Sequence, residues 1–173
     1  LPIYISLLDA NDKILETQYF SILGSINKDS ETNDFIEFSI DGTRLPSSDP
    51  DLKPSAESSI HLAAYQLFDH IGACLHVHTL ESNLLCEGLQ TDRLDLVELE
   101  MLKGLGWKQG PAYMEVIKNH RDVPKIAEEM KHRYTKTPPC LPGFLIHRHG
   151  LTAWGNSLLQ TRNYIELFSY IFS

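Results

Sequence analysis

The chain has 173 residues, 42% hydrophobic and 22% charged, with 15 Lys and Arg against 23 Asp and Glu for a formal net charge of −8. That length suits one domain with a sizeable core. The acidic balance argues against nonspecific binding to nucleic acid or anionic membranes, and no run approaches the ~20 apolar residues of a membrane span.

In chain order, residues 3–8 (IYISLL) read as a strand, 9–12 as a turn and 13–23 as a second strand, together a hairpin. The polar, Gly-led stretch 24–34 is a loop. Residues 35–40 (FIEFSI) alternate apolar and polar, the pattern of a half-buried strand, and Asp41-Gly42 turns the chain. A Pro-rich crossing over 45–54 leads into a helix. Ser55 or Ser58 supplies its cap, Ile60, Ala63, Ala64, Leu67 and Phe68 recur at helical spacing, and Gly72 ends it.

Residues 73–79 form a mostly apolar strand, and 91–104 a strand end running into a short helix. Residues 124–134 fit a helix, 144–148 a strand and 162–172 an amphipathic helix. There are no internal repeats. Strands and helices mix without a regular β-α-β rhythm, which favours a layered α/β domain with a largely antiparallel sheet. Cys74, Cys86 and Cys140 are an odd number without a CxxC, so a disulfide scaffold is not expected and a reducing, cytoplasmic setting is.

Residues 75–79, LHVHT, carry two histidines one residue apart. In a strand, side chains at i and i+2 share a face, so His76 and His78 can converge on one ion. They can equally be two core histidines. A third candidate stands in FLIHRHGLTAWG (144–155), where His149 precedes Gly150 at a strand end and His147 competes with it. Three histidine nitrogens with one open position make the usual catalytic Zn²⁺ arrangement. His61, His70, His120 and His132 lie in helical or polar contexts and read as surface or structural.

The segments KPSAESSIHLAAYQ (53–66), GACLHVHT (72–79), LEMLKG (99–104) and RHGLTAWG (148–155) occur in this order. Together they resemble the class II aldolase family, over about residues 14–172. The ending HG-x-x-AWG and the EMLKG segment are most similar to its dehydratase branch. The resemblance implies a three-layer α/β/α fold with a mainly antiparallel central sheet, one Zn²⁺ per subunit on His76, His78 and His149, and a small-molecule sugar phosphate as substrate. In the dehydratase branch that substrate is a ketose phosphate bearing a methylthio group. Mn²⁺, Fe²⁺ or Co²⁺ also suits three imidazoles. The resemblance further implies a homotetramer with active sites between subunits.

The branch's general acid/base falls on Glu100, with Glu98 as rival should the strand-to-helix boundary slip. Glu57 falls on the glutamate that the aldolase branch uses, beside the metal, as an occasional fourth ligand or second acid/base. A zinc-dependent aldolase or epimerase would also need a C-terminal tyrosine, for which Tyr164 and Tyr170 are candidates. For the substrate phosphate, Gly24, Ser25 and Lys28 in LGSINKD match a family loop; Ser55 and Lys103 are further candidates. Trp107, Tyr113, Met101 and Leu80 could line an apolar pocket or belong to the core. The family's N-terminal helix and its Ala-Thr-Ser-Gly-Asn-type loop have no counterpart in these 173 residues. A chain lacking that loop could instead be a silent scaffold of the same fold.

Overall fold

Strand β4 (Ala73–Val77, ACLHV) is buried at every position. A strand covered on both faces needs a nearly unbroken apolar run, not an alternating one. The structure, a computed structural model, describes residues 3–8, 18–22, 35–46, 51 and 54–173. Among these, β4 lies near the middle of an eight-stranded sheet. The other strands are β1 (Ile3–Leu8), β2 (Gln18–Ile22), β3 (Phe35–Ser39), β5 (Arg93–Leu96), β6 (Ala112–Ile117), β7 (Gly143–Ile146) and β8 (Gly150–Gly155). Their spatial order is β3-β2-β1-β4-β8-β7-β6-β5. Every neighbouring pair is antiparallel except β6 and β7.

Helices cover both faces. On one, Ile60 and Ala64 of α1 (Ser58–Leu67) and Ile126 and Met130 of α3 (Pro124–Lys136) pack with Cys74, Phe144 and Trp154 of the sheet. On the other, Cys86 of α2 (Leu80–Gly88), Leu102 of a 3₁₀ helix (Glu100–Leu105) and Phe168 of α4 (Leu158–Phe172) pack with Val77, Leu145 and Leu151. This is the three-layer α/β/α arrangement with a mainly antiparallel sheet. Phe144 and Phe168 are fully buried, and each such side chain contributes about 1.5–3 kcal/mol.

Several boundaries differ from those expected. Helix α1 starts at Ser58 with Glu57 at its cap position, so neither Ser55 nor Ser58 caps it. It ends at Leu67 because Phe68 is extended, with its N–H bonded to the Ala64 carbonyl at 3.1 Å. Gly72 instead permits a close approach of two backbones, since a Cβ there would lie 2.1 Å from the Asn156 carbonyl oxygen. Strand β4 stops at Val77 because Thr79 caps α2, its hydroxyl accepting from the Ser82 N–H at 3.2 Å. The strand expected over 144–148 ends at Ile146, and a turn over 147–149 leads directly into β8. Helix α4 begins at Leu158, capped by Ser157. Helix α2 and strands β6 and β8 have no counterpart among the elements expected from the sequence. Of the expected 13–23 strand, residues 18–22 are described and form β2.

Candidate metal centre

The turn between β7 and β8 sorts its two histidines. Arg148 has φ 52°, the left-handed region, the one non-glycine with positive φ among the described residues. That conformation costs about 1–2 kcal/mol. His147 and His149 on either side of it have different partners. The His147 Nε2–H donates to the Leu89 carbonyl at 2.7 Å, which ties that ring away from the other histidines. His149 joins His76 and His78.

The three rings form a near-equilateral triangle. Centroids are 4.9 Å apart for His76 and His78, and 4.8 Å for each of those with His149. One nitrogen from each ring lies within 4.8 Å of the others, and the two Nε2 atoms of His76 and His78 are 2.9 Å apart. Tetrahedral coordination with Zn–N distances of about 2.0–2.1 Å sets nitrogens about 3.4 Å from one another, within the spread seen here.

The protonation states suit the same purpose. Burial is the main cause holding His76 well below the ordinary histidine range, followed by the neighbouring His149 and His78. Burial and His149 lower His78, with Glu57 opposing. Burial lowers His149, again against Glu57. Neutral imidazoles keep the lone pairs that a cation needs. The donor set therefore fits a divalent metal with nitrogen preference.

Around this trio the neighbours are unequal. The Glu57 Oε1 lies 3.8 Å from His149 Nε2, with the two side chains 12% and 18% exposed. The Ser55 hydroxyl donates to Glu57 Oε2 at 2.5 Å, so Ser55 meets the site through Glu57. Glu100 is on the surface, its side chain 82% exposed and paired with Lys103 at 2.9 Å. Glu98 is exposed as well. Neither belongs to the gathered group. Gly24, Ser25 and Lys28 lie outside the described residues.

None of the four apolar candidates is drawn into the trio. The Trp107 indole donates to the Gly110 carbonyl at 3.2 Å. Tyr113 lies under Arg93 at 4.0 Å, while Leu80 and Met101 are exposed.

Two contributors are absent from the candidates that the sequence alone suggests. Thr152 of β8 is fully buried, and its Oγ1 is 2.9 Å from His76 Nδ1. His61 of α1 is buried, pushed down to about 3 by that burial, and close enough to His76 to lower it further. Helical burial of His61 could be read from its place among Ile60, Ala63 and Ala64. Thr152 could be found only from the pairing of β4 with β8.

Gly150 accounts for the histidine-glycine pair at 149–150. A Cβ there would lie 2.4 Å from the Val77 carbonyl oxygen and 2.8 Å from the His78 ring. Gly150→Ala is therefore expected to force β8 off β4 and shift His78. Overpacking of this kind costs about 1–3 kcal/mol. A lowered melting temperature together with reduced bound metal in elemental analysis would check it.

The family model of the Class II Aldolase and Adducin N-terminal domain matches residues 4–173. The chain belongs to this family. Among its relatives, it is 46% identical over 141 residues to "Methylthioribulose-1-phosphate dehydratase" of Microcystis aeruginosa, covering 80% of this chain and 69% of that protein. It is 31% identical over 168 residues to the protein of the same name from Enterobacter sp. (strain 638), covering 94% and 80%. Among solved structures, an L-fuculose 1-phosphate aldolase superposes with TM-score 0.76 at 20% identity, over 98% of this chain and 72% of that one. YgbL of Escherichia coli, described as a putative aldolase/epimerase/decarboxylase, gives 0.74 at 22%, over 98% and 75%. These likenesses establish the class II aldolase fold that the sequence motifs implied.

Proposed function

We propose that the chain is a zinc-dependent methylthioribulose-1-phosphate dehydratase, a hydro-lyase of methionine salvage. It would convert 5-methylthioribulose 1-phosphate to 2,3-diketo-5-methylthiopentyl 1-phosphate. The observation that carries this reading is the His76, His78 and His149 triangle in a chain 46% identical to a protein of that name.

His76, His78 and His149 would hold the metal. Zinc, when bound, supplies Lewis acidity that makes the proton beside a ketone easier to remove. The chain's carboxylates would handle the protons. The substrate loses a proton from C3 and the hydroxyl from C4, together one water, and the resulting enol rearranges to the diketone. Glu100 is assigned the proton from C3 and its later return to the departing hydroxyl, a double duty open to one carboxylate that alternates protonation states. Glu57, held by Ser55 and facing His149, is assigned a supporting position at the metal. Ser55 and Lys103, with Gly24, Ser25 and Lys28, remain the candidates for the phosphate. The assembly proposed is a homotetramer in the cytoplasm. Among the described residues no helix is long and apolar enough to cross a membrane.

One observation favours a sister reaction. Glu57, not Glu100, is the carboxylate beside the imidazoles, as a sugar-phosphate aldolase or epimerase would require. Tyr170 is exposed near the end of α4 and Tyr164 is partly buried against the core. The deciding experiment offers the purified protein 5-methylthioribulose 1-phosphate and L-fuculose 1-phosphate while its metal content is measured. Loss of water from the first with about one zinc per chain is the expected result. Carbon–carbon cleavage of the second would replace the dehydratase reading with the aldolase one. A chain without stoichiometric metal and without turnover is a silent scaffold.

A further inference from the structure

We propose that Thr152 is a positioning residue for the metal: its buried hydroxyl accepts from the Nδ1–H of the His76 tautomer that turns a lone pair toward the ion. The inference rests on the metal-centre reading above. His76 and Thr152 are direct cross-strand partners in the β4–β8 ladder, so their side chains share one face of the sheet. Both are fully buried, which leaves no bulk water to stand in for either group. The Thr152 Oγ1 and His76 Nδ1 are 2.9 Å apart, and on its other side the same ring presents Nε2 to His78 Nε2 at 2.9 Å.

A neutral imidazole carries one N–H and one lone pair. If Nε2 binds a cation, the proton must sit on Nδ1, where the threonine oxygen is in place to accept it. Threonine suits this place because its branched side chain is stiff at χ1 and sits in one orientation on a strand. Without metal the ring has a second choice. It can protonate Nε2 toward His78 and accept at Nδ1 from the threonine O–H. A hydroxyl serves both states, whereas an apolar isostere takes the acceptor away from a buried Nδ1–H in the metal-bound one. A bound cation makes the Nδ1–H a stronger donor, so the larger penalty falls on the bound state and appears as lost affinity. His149 makes a contrast, since its Nδ1 is buried with no hydrogen-bond partner among the described residues. Thr152 thus governs one ligand specifically.

The test is zinc affinity, measured on the metal-stripped full chain by competition with a chelator of known strength. Thr152→Val keeps the shape and removes the acceptor. It should bind zinc ~10–100-fold more weakly than the parent, the usual cost of losing such a partner. Thr152→Ser should restore most of that loss. Metal-free Thr152→Val should melt slightly below the metal-free parent, and the gap should widen when both are loaded with zinc. Parental affinity in Thr152→Val would overturn the proposal, as would a serine variant as weak as the valine one, since packing would then explain the loss. A parent that binds no zinc overturns the metal reading and this inference together. Parental affinity in Thr152→Val with zinc bound to the parent defeats this inference alone. Should Thr152→Val fail to fold, nitrogen NMR of the zinc-loaded parent decides. A His76 Nδ1–H proton shifted downfield, the mark of a hydrogen bond to the threonine oxygen, supports the assignment, and an unshifted Nδ1–H or a protonated Nε2 overturns it.

Discussion

Replacing His149 with alanine is expected to remove zinc and turnover together while the chain stays folded. His149 is the ligand of choice for this test because it lies in a turn and not in a strand. Its backbone N–H bonds the Ile146 carbonyl at 3.0 Å whatever the side chain. His76, in contrast, is fully buried in the central strand, and its loss would confuse metal loss with core damage. Alanine at 149 removes one of three imidazoles and leaves two, too few for the usual three-ligand catalytic set. The fold should lose about 1 kcal/mol, near the centre of what single substitutions cost. A bound metal contributes several kcal/mol of transition-state stabilisation. At about 1.36 kcal/mol per factor of ten, the rate should fall by ~10³ or more. Elemental analysis, a melting curve and a dehydration assay on one preparation check all three. A His149→Ala chain that retains one zinc per subunit would remove this residue from the ligand set.

The second large effect separates the two carboxylates. Glu100→Gln should cost ~10²–10⁴ in turnover, the span typical of general acid–base help, with zinc content unchanged. The surface position of Glu100, paired with Lys103 and largely exposed, makes the substitution nearly neutral for stability. Any large rate effect is then chemical. Glu57→Gln is the control. Its carboxylate faces a metal ligand at 3.8 Å, so its loss should act mainly through the metal, at ~10–100-fold in zinc affinity or rate. If Glu57→Gln abolishes turnover while Glu100→Gln is nearly normal, the proton work belongs to Glu57 and the aldolase or epimerase reading gains. Steady-state kinetics on both variants at saturating zinc make the distinction.

The parts of this site that could be read in the sequence are those where chemistry restricts residue type. Three-imidazole metal centres need histidines at close spacing, so the pairs His76, His78 and His147, His149 stand out in the sequence. The i, i+2 argument for the first two survives even though His78 lies one residue beyond the end of β4. The choice between His147 and His149 could not be read, because it depends on the left-handed turn at Arg148 and on the Leu89 carbonyl that accepts from His147. Thr152 was invisible for a related reason: its partner is 76 positions away, and register between distant strands leaves no local trace.

Among fold elements, β6 was missed although AYMEVI alternates buried and half-buried positions over its first five residues. Helix α2 has only nine residues and a weak apolar face, with Thr79 as its one clear start signal. The proline-rich approach to α1 obscured its first turn, where Glu57 occupies the cap position.

The spatial order of the sheet has a consequence for assembly of the molecule. Strands β1 to β4 all derive from residues 3–77 and β5 to β8 from residues 93–155. Each block is contiguous in chain and in space, and within the sheet of the described residues the two join at one ladder, the five pairs from Ala73–Gly155 to Val77–Leu151. Two of the imidazoles come from one block and the third from the other. An ion held there rivets the blocks together. It can be gripped only after both have formed and docked, so metal capture should mark the end of folding, and its release should first loosen the joining ladder, leaving either block intact.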